Sequence, residues 1–148
     1  MDITTAIKAA EAFGRDSIIA TGMSADDQAD MRTTADAFRQ AVGMGGFMTL
    51  GVSGMATVPG AHRMGGLLFI ARVLPMTKTG DRAEGARLMF VLVSLTPADE
   101  IDIEVRHLSN GAKHAEARGI YIDQVQAFAL ALDYNGREVL NPRYWPQA

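Results

Sequence analysis

Two histidines and one glutamate beside an Asn-Gly pair are the residues of this 148-residue chain whose types and spacing could do chemistry. His107 precedes and His114 follows Asn110-Gly111, a dipeptide that favours a two-residue hairpin turn because both of its residues tolerate positive φ. That turn would pair His107 with His114, with β-carbons about 5 Å apart, and would place Glu116 on the same face. Two imidazoles and a carboxylate are ligands of zinc and ferrous iron, so one hypothesis is a metal-dependent enzyme.

The same hairpin register has a weakness elsewhere along the two strands. It sets Val105 opposite Glu116 and Ile103 opposite Arg118, so apolar residues would face charged ones. A slip of one residue would remove this mismatch, and it would also separate the two histidines. The alternative interpretation is therefore that both imidazoles are polar surface groups, in which case the sequence indicates no cofactor.

Two other stretches match catalytic motifs only in part. Gly46 to Ser53 has two glycines separated by four residues, as in a phosphate-binding loop, but Val52 stands where that loop needs lysine. Gly51 to Met55 follows a nucleophile elbow until its last position, where methionine replaces the second glycine. We interpret these glycines as bends and the nearby methionines as fillers of irregular gaps, and neither motif predicts a catalytic residue.

The histidines would be positioned by a sheet. Apolar runs rich in Val, Ile, Leu and Phe and bounded by turn residues are typical of strands, and three of them occur in order: Leu67–Leu74, Leu88–Leu95 and Ile101–Leu108. Lys113–Ile122 would be the strand that returns after the Asn110-Gly111 turn. The third run alternates strictly between apolar and charged residues, which is typical of a strand with one buried face. With a short strand over Phe47 to Ser53, we predict four or five mainly antiparallel strands between residues 47 and 122.

Helical patterns flank this predicted sheet. Residues 1–42 are expected to form two helices, one from Thr4 to Phe13 and one that begins after the N-cap Ser24 and ends at Gly43. Apolar residues at helical spacing predict a third helix over residues 123–134, followed by a proline-containing aromatic tail, 137–148. The predicted fold is a single α+β domain over residues 1–148, with two N-terminal helices, the sheet and one C-terminal helix.

Composition limits the range of functions. With 48% hydrophobic and 21% charged residues, and no apolar run near the roughly 18 residues of a membrane span, we expect a soluble protein without a membrane partner. The absence of cysteine and of a recognisable signal peptide leads us to expect a cytoplasmic protein. The net charge of -3 is a poor fit to sequence-independent duplex binding.

The leading hypothesis is a non-catalytic protein-binding module that acts as an adaptor, inhibitor or regulator. It would use the Gly/Met-rich segment 43–66, a basic hairpin loop at 75–86 and the aromatic tail, and it would bind another protein or itself as a homo-oligomer. The predicted partner-binding residues are Arg63, Arg72, Lys78, Arg82, Arg87, Tyr144 and Trp145.

Single-stranded nucleic-acid binding by the sheet is a second alternative. It would need exposed aromatic rings beside positive charge, and the candidate rings are Phe47, Phe69, Phe90 and Tyr121. Because Phe69 and Phe90 lie in runs that are apolar on both faces, the pattern predicts that these two rings are buried.

Overall fold

A computed structural model describes residues 3–12, 18–19, 22–73, 85–130 and 132 of the chain. Its centre is a five-stranded sheet in which every strand pairs antiparallel with the next along the chain. The elements are α1 (Ile3–Ala12), α2 (Ala25–Thr49), β1 (Gly54–Val58), β2 (Gly66–Val73), β3 (Arg87–Leu95), β4 (Ile101–His107), β5 (Lys113–Ile120) and α3 (Val125–Leu130). The α+β class and the antiparallel sheet are confirmed.

The sheet is covered unequally on its two faces. On one, which we call the inner face, α2 and α3 pack over all five strands, and Phe38, Phe69 and Phe128 are almost fully buried. Burial of a side chain of this size is worth about 1.5–3 kcal/mol. On the opposite, outer face, α1 packs against β1 and β2, while β4 and β5 carry charged side chains there. The outer face therefore changes from apolar to polar between β3 and β4.

Helix α2 begins as the sequence predicts and continues further. The Ser24 hydroxyl accepts the Asp27 N–H at 3.1 Å, which caps the helix. Gly43 breaks the helix with φ 75° and ψ 162°, but one more helical turn follows and runs to Thr49. The predicted strand over Phe47 to Ser53 is therefore wrong, and the first strand is β1. The prediction of two N-terminal helices within residues 1–42 is only partly right, because α1 is short and α2 extends beyond residue 42 to Thr49.

The hairpin between β4 and β5 exists but has a longer loop than two residues. Leu108 is only 9% exposed, belongs to the outer-face core, and donates its N–H to the Leu88 carbonyl at 3.0 Å. Because Leu108 is held there, it does not pair across the hairpin. Instead, Arg106 lies opposite Lys113 and Ile103 opposite Ala117. The predicted register is thus wrong, and the slip removes the mismatch between apolar and charged residues.

The C-terminal helix is preceded by a short 3-10 turn over Ile122–Gln124, so α3 itself begins at Val125. Most of the predicted basic loop and the aromatic tail lie outside the described residues, and with them Lys78, Arg82, Tyr144 and Trp145. Within the described ranges, no helix has both the length and the apolar character needed to cross a membrane.

Candidate partner-binding groove

An open, mainly apolar groove of about 620 Å³ lies between the second part of α2 and the edge strand β1. Met44 and Met48 form one wall, and each is 75% exposed. They are four residues apart, so both lie on the same face of the helical turn. The groove is lined by Arg39, Gln40, Gly43, Met44, Phe47, Met48, Gly51, Val52 and Met55.

The methionine-bearing turn is held at its start by a contact from α3. A break in a helix leaves backbone carbonyls without their usual partners. Here the Gln126 side-chain amide donates to the Val42 carbonyl at 3.0 Å, immediately before the break at Gly43. The inner-face helices α2 and α3 are thereby joined at the point where the chain changes direction towards the groove.

The end of the same turn is closed by a Schellman motif. Gly51, with φ 56°, donates its N–H to the Met48 carbonyl at 3.2 Å, and Val52 donates to the Phe47 carbonyl at 3.1 Å. This is the double hydrogen bond by which a glycine after a helix satisfies the last carbonyls. Val52 and Phe47 both line the groove, as expected from the hydrophobic contact that accompanies this motif.

Phe47 anchors the turn to the sheet. Its ring packs edge-to-face on the buried ring of Phe69 in β2, with centroids 5.5 Å apart and planes at 84°, a geometry worth about 0.5–1.5 kcal/mol beyond burial. Phe47 remains only partly buried, so its other side is available to the groove. The aromatic anchor fixes the turn while the two flanking methionines stay in solvent.

The rim of the groove carries one arginine. The Arg39 guanidinium bridges from α2 to β1, with contacts of 2.6 Å to Asp36 and 3.1 Å to Thr57. Arg72 is exposed but lies on the outer face of β2, because it alternates with the inner-face residues Ala71 and Val73, and it does not line the groove. Residues 43–73 contain two arginines and no acid. The groove therefore combines soft apolar walls with one lining arginine, Arg39, which is ion-paired with Asp36.

The described basic residues do not form one patch. Arg72 lies opposite Leu88, next to the pair formed by Val73 and Arg87, so Arg72 and Arg87 share one end of the sheet. Arg63 lies in the β1–β2 turn at the other end of β2, about 20 Å away at 3.3 Å per strand residue. None of the three described arginines that were predicted to bind a partner, Arg63, Arg72 and Arg87, lines the groove.

The two histidines are neighbours despite the altered register. His114 lies in the irregular step between the pairs Val105–Ala115 and Arg106–Lys113, and its ring centroid is 5.6 Å from that of His107. Burial, aided by the nearby charge of Arg87, lowers the pKa of His107. The expectation that a slip would separate the imidazoles is wrong, because the irregularity compensates for it.

Glu116 is not part of this histidine cluster. It lies opposite Glu104 and lines a different cavity, on the outer face, whereas His107 lines a pocket with Arg87 and Ser109. Within the part of the chain that the structure describes, no group of three or more histidine, cysteine or acidic side chains could hold a metal ion.

Comparisons of the chain with protein-family models, curated proteins and solved structures found no match. The geometry of the chain itself is therefore the basis for a functional proposal. The groove contains Arg39 and Gln40, which the sequence did not indicate as partner-binding residues. Two signals could have identified them: the spacing of Met44 and Met48, and Gly51 as a helix-ending residue.

Proposed function

We propose that this protein is a non-catalytic binding module that accepts an amphipathic, acidic helix of a partner protein in the groove between α2 and β1. The observation that carries the proposal is the pair Met44 and Met48, each 75% exposed on one helical turn above a partly buried aromatic floor. Methionine is flexible and polarizable, and it is over-used at surfaces that bind helices. Such a helix would present apolar residues at i, i+3, i+4 and i+7.

Two features favour a helix of this kind over other occupants. Arg39 at the rim complements an acidic residue beside an apolar stripe, and charge complementarity speeds association and selects partners. Gly45 has no atom within 4 Å of a β-carbon position, so packing within the chain does not require a glycine there. A bare backbone lets a partner approach closely. A cytoplasmic location, which we also propose, fits the absence of cysteine.

The proposal can be tested with a designed probe, a fluorescein-labelled 16-residue helical peptide with leucines at the stated spacing and glutamates beside them. Fluorescence anisotropy should show saturable binding. Met44→Gln combined with Met48→Gln should weaken binding at least about tenfold, which corresponds to about 1.4 kcal/mol. Met64→Gln is the matched control, because Met64 is 41% exposed and does not line the groove.

Charge is tested separately from apolar contact. Replacing the glutamates of the peptide by lysines, or Arg39 by glutamate, should weaken binding, and the difference should shrink at high salt. Absence of saturable binding, or equal affinities for the double variant and Met64→Gln, would reject the proposal. Sedimentation provides a further check: a dimer that disappears in the double variant would identify the occupant as a second copy of this chain instead.

A further inference from the structure

Met44 and Met48 are the most exposed large apolar side chains among the described residues, at 75% each. The thioether sulfur of methionine reacts with peroxides to give a sulfoxide, which is polar and chiral. The chain has no cysteine, so no thiolate competes with the methionines for a peroxide. The two sulfurs that line the groove are therefore candidates for reversible modification.

Exposure separates Met44 and Met48 from the other methionines that the structure describes. Of the five others, none is more than 41% exposed: Met23, Met31, Met55, Met64 and Met89. Susceptibility to oxidation follows the access of the oxidant to the sulfur. Within the described part of the chain, Met44 and Met48 should therefore be oxidised first.

The turn that carries these two sulfurs is held by other groups. The Gln126 side-chain amide binds its start, and the Phe47 ring packs on β2. At its end, the Gly51 N–H donates to the backbone carbonyl of Met48. None of these contacts uses a methionine side chain. Oxidation of Met44 and Met48 should therefore change the surface of the groove and leave its backbone in place.

A sulfoxide at Met44 or Met48 changes the wall of the groove from apolar to polar. Oxidation of methionine adds a hydrogen-bond acceptor and disrupts interfaces that are rich in this residue. The sulfoxide oxygen would lose its water when an apolar helix face covered it, and burial of an unpaired polar group is unfavourable. A bound helix would also cover the two sulfurs, so binding and oxidation oppose each other.

We infer that Met44 and Met48 form a peroxide-sensitive switch, in which oxidation of both thioethers prevents binding of the partner helix and reduction restores it. This inference rests on the proposed function. In each oxidation the sulfur lone pair attacks one oxygen of a hydroperoxide. The S–O bond forms as the O–O bond breaks, and the proton passes to the leaving oxygen, which departs as water or an alcohol. The sulfur loses two electrons and the peroxide gains two.

Reversal needs a dithiol reductant. Methionine sulfoxide reductases act on the two sulfoxide epimers separately. Each returns the thioether, releases the oxygen as water and leaves a disulfide in place of the dithiol.

The first test follows the sites of oxidation. The full chain is treated with hydrogen peroxide, and each methionine is followed by peptide mapping and mass spectrometry. Met44 and Met48 should gain oxygen at least about fivefold faster than Met64, and Met31 and Met89 should react last. The designed acidic peptide, at saturation, should slow oxidation at Met44 and Met48 at least about fivefold and should leave Met64 within about twofold.

The second test measures peptide affinity after removal of the peroxide. Oxidation should weaken binding at least about tenfold, with an unchanged circular dichroism spectrum, and the two reductases with dithiothreitol should restore it. Met44→Leu combined with Met48→Leu has no sulfur at either position, so its own affinity should change by less than about twofold on treatment. Met64→Leu is the matched control and should lose as much affinity as the unchanged protein.

Four results would overturn the inference and leave the proposed function standing. They are faster oxidation at Met64 than at Met44 and Met48, equal affinity before and after both sulfoxides form, an equal loss of affinity in the double leucine variant, and a loss of binding that accompanies unfolding. Untreated protein that does not bind the peptide would instead reject the proposed function, and this inference with it.

Discussion

Gln126 donates its side-chain amide to the carbonyl of Val42 at 3.0 Å, across 84 positions of sequence. This contact joins α3 to α2 at the residue before the Gly43 break. It matters for the groove because the turn that carries Met44 and Met48 starts directly after the break. The position of the exposed methionines thus depends on a polar contact between two helices as well as on apolar packing.

Gly43→Ala should destabilise the protein. Gly43 has φ 75° and ψ 162°, a region that is essentially restricted to glycine and costs other residues of order 1–3 kcal/mol. Gly45→Ala is the matched control: Gly45 is helical without positive φ and has open space around it, so alanine should stabilise by about 0.5–1 kcal/mol. Urea unfolding measures the change in unfolding free energy for both variants. Changes of the same sign would contradict the backbone conformation described for Gly43.

Gln126→Met should loosen the methionine turn without unfolding the sheet. It keeps a side chain of similar length but removes the donor to Val42, a loss of about 1 kcal/mol. Amide hydrogen exchange over residues 44–48 should become about fivefold faster, while exchange in β3 should stay within about twofold of the unchanged protein. Equal acceleration in both regions would show that the contact does not act locally.

The stability of the protein should fall as the pH drops from 7 to 5, in part through His107. Burial and Arg87 lower the pKa of His107 in the folded protein, so folding favours its neutral form. This contribution is complete above the ordinary histidine pKa, near 6.5, and is lost as the pH falls through that value towards the lower folded pKa. His107→Gln should show a shallower loss of unfolding free energy, and equal slopes would contradict the assigned environment.

Gly66→Ala should destabilise the β2–β3 ladder. An added β-carbon would lie 2.6 Å from the Val93 carbonyl oxygen and 3.0 Å from the Gly60 Cα, and overpacking of this kind costs about 1–3 kcal/mol or more. In β1, Gly54→Ala meets nothing closer than 3.6 Å and should change stability by less than about 1 kcal/mol. Thermal unfolding of the two variants measures the difference in stability. A larger loss of stability in Gly54→Ala than in Gly66→Ala would contradict the prediction.

Structural features that depend on adjacent residues could be predicted from the sequence. Features that depend on contacts between residues distant in sequence could not. Ser24 could be assigned correctly as the N-cap of α2, because capping is a property of a few adjacent residues. Gly43 was predicted to end this helix, but it is a kink after which the helix continues to Thr49. The bounds of β2 to β4 were predicted to within about one residue, since their apolar runs are long and end at turn residues. β5 was predicted from the hairpin signal before it. The helical turn after Gly43 was missed because its stability comes from Phe69 and Gln126, which lie far away in sequence.

The hairpin shows a similar limit. Asn110-Gly111 correctly predicted a reversal of the chain, but not its length, because the burial of Leu108 in the outer-face core determines the register. A local turn signal carries no information about that core. The histidine pair was therefore predicted from a register that is wrong, and Glu116 was assigned to the wrong cluster.

The most direct test of the proposed function is methyl NMR of the nine methionines while the acidic amphipathic peptide is added. We expect saturable shifts of the Met44 and Met48 methyl signals, with no change at Met31 or Met89, which are 4% and 0% exposed. A scrambled peptide of the same composition should shift neither groove signal. Unchanged Met44 and Met48 signals, or shifts of equal size with the scrambled peptide, would contradict helix binding in this groove.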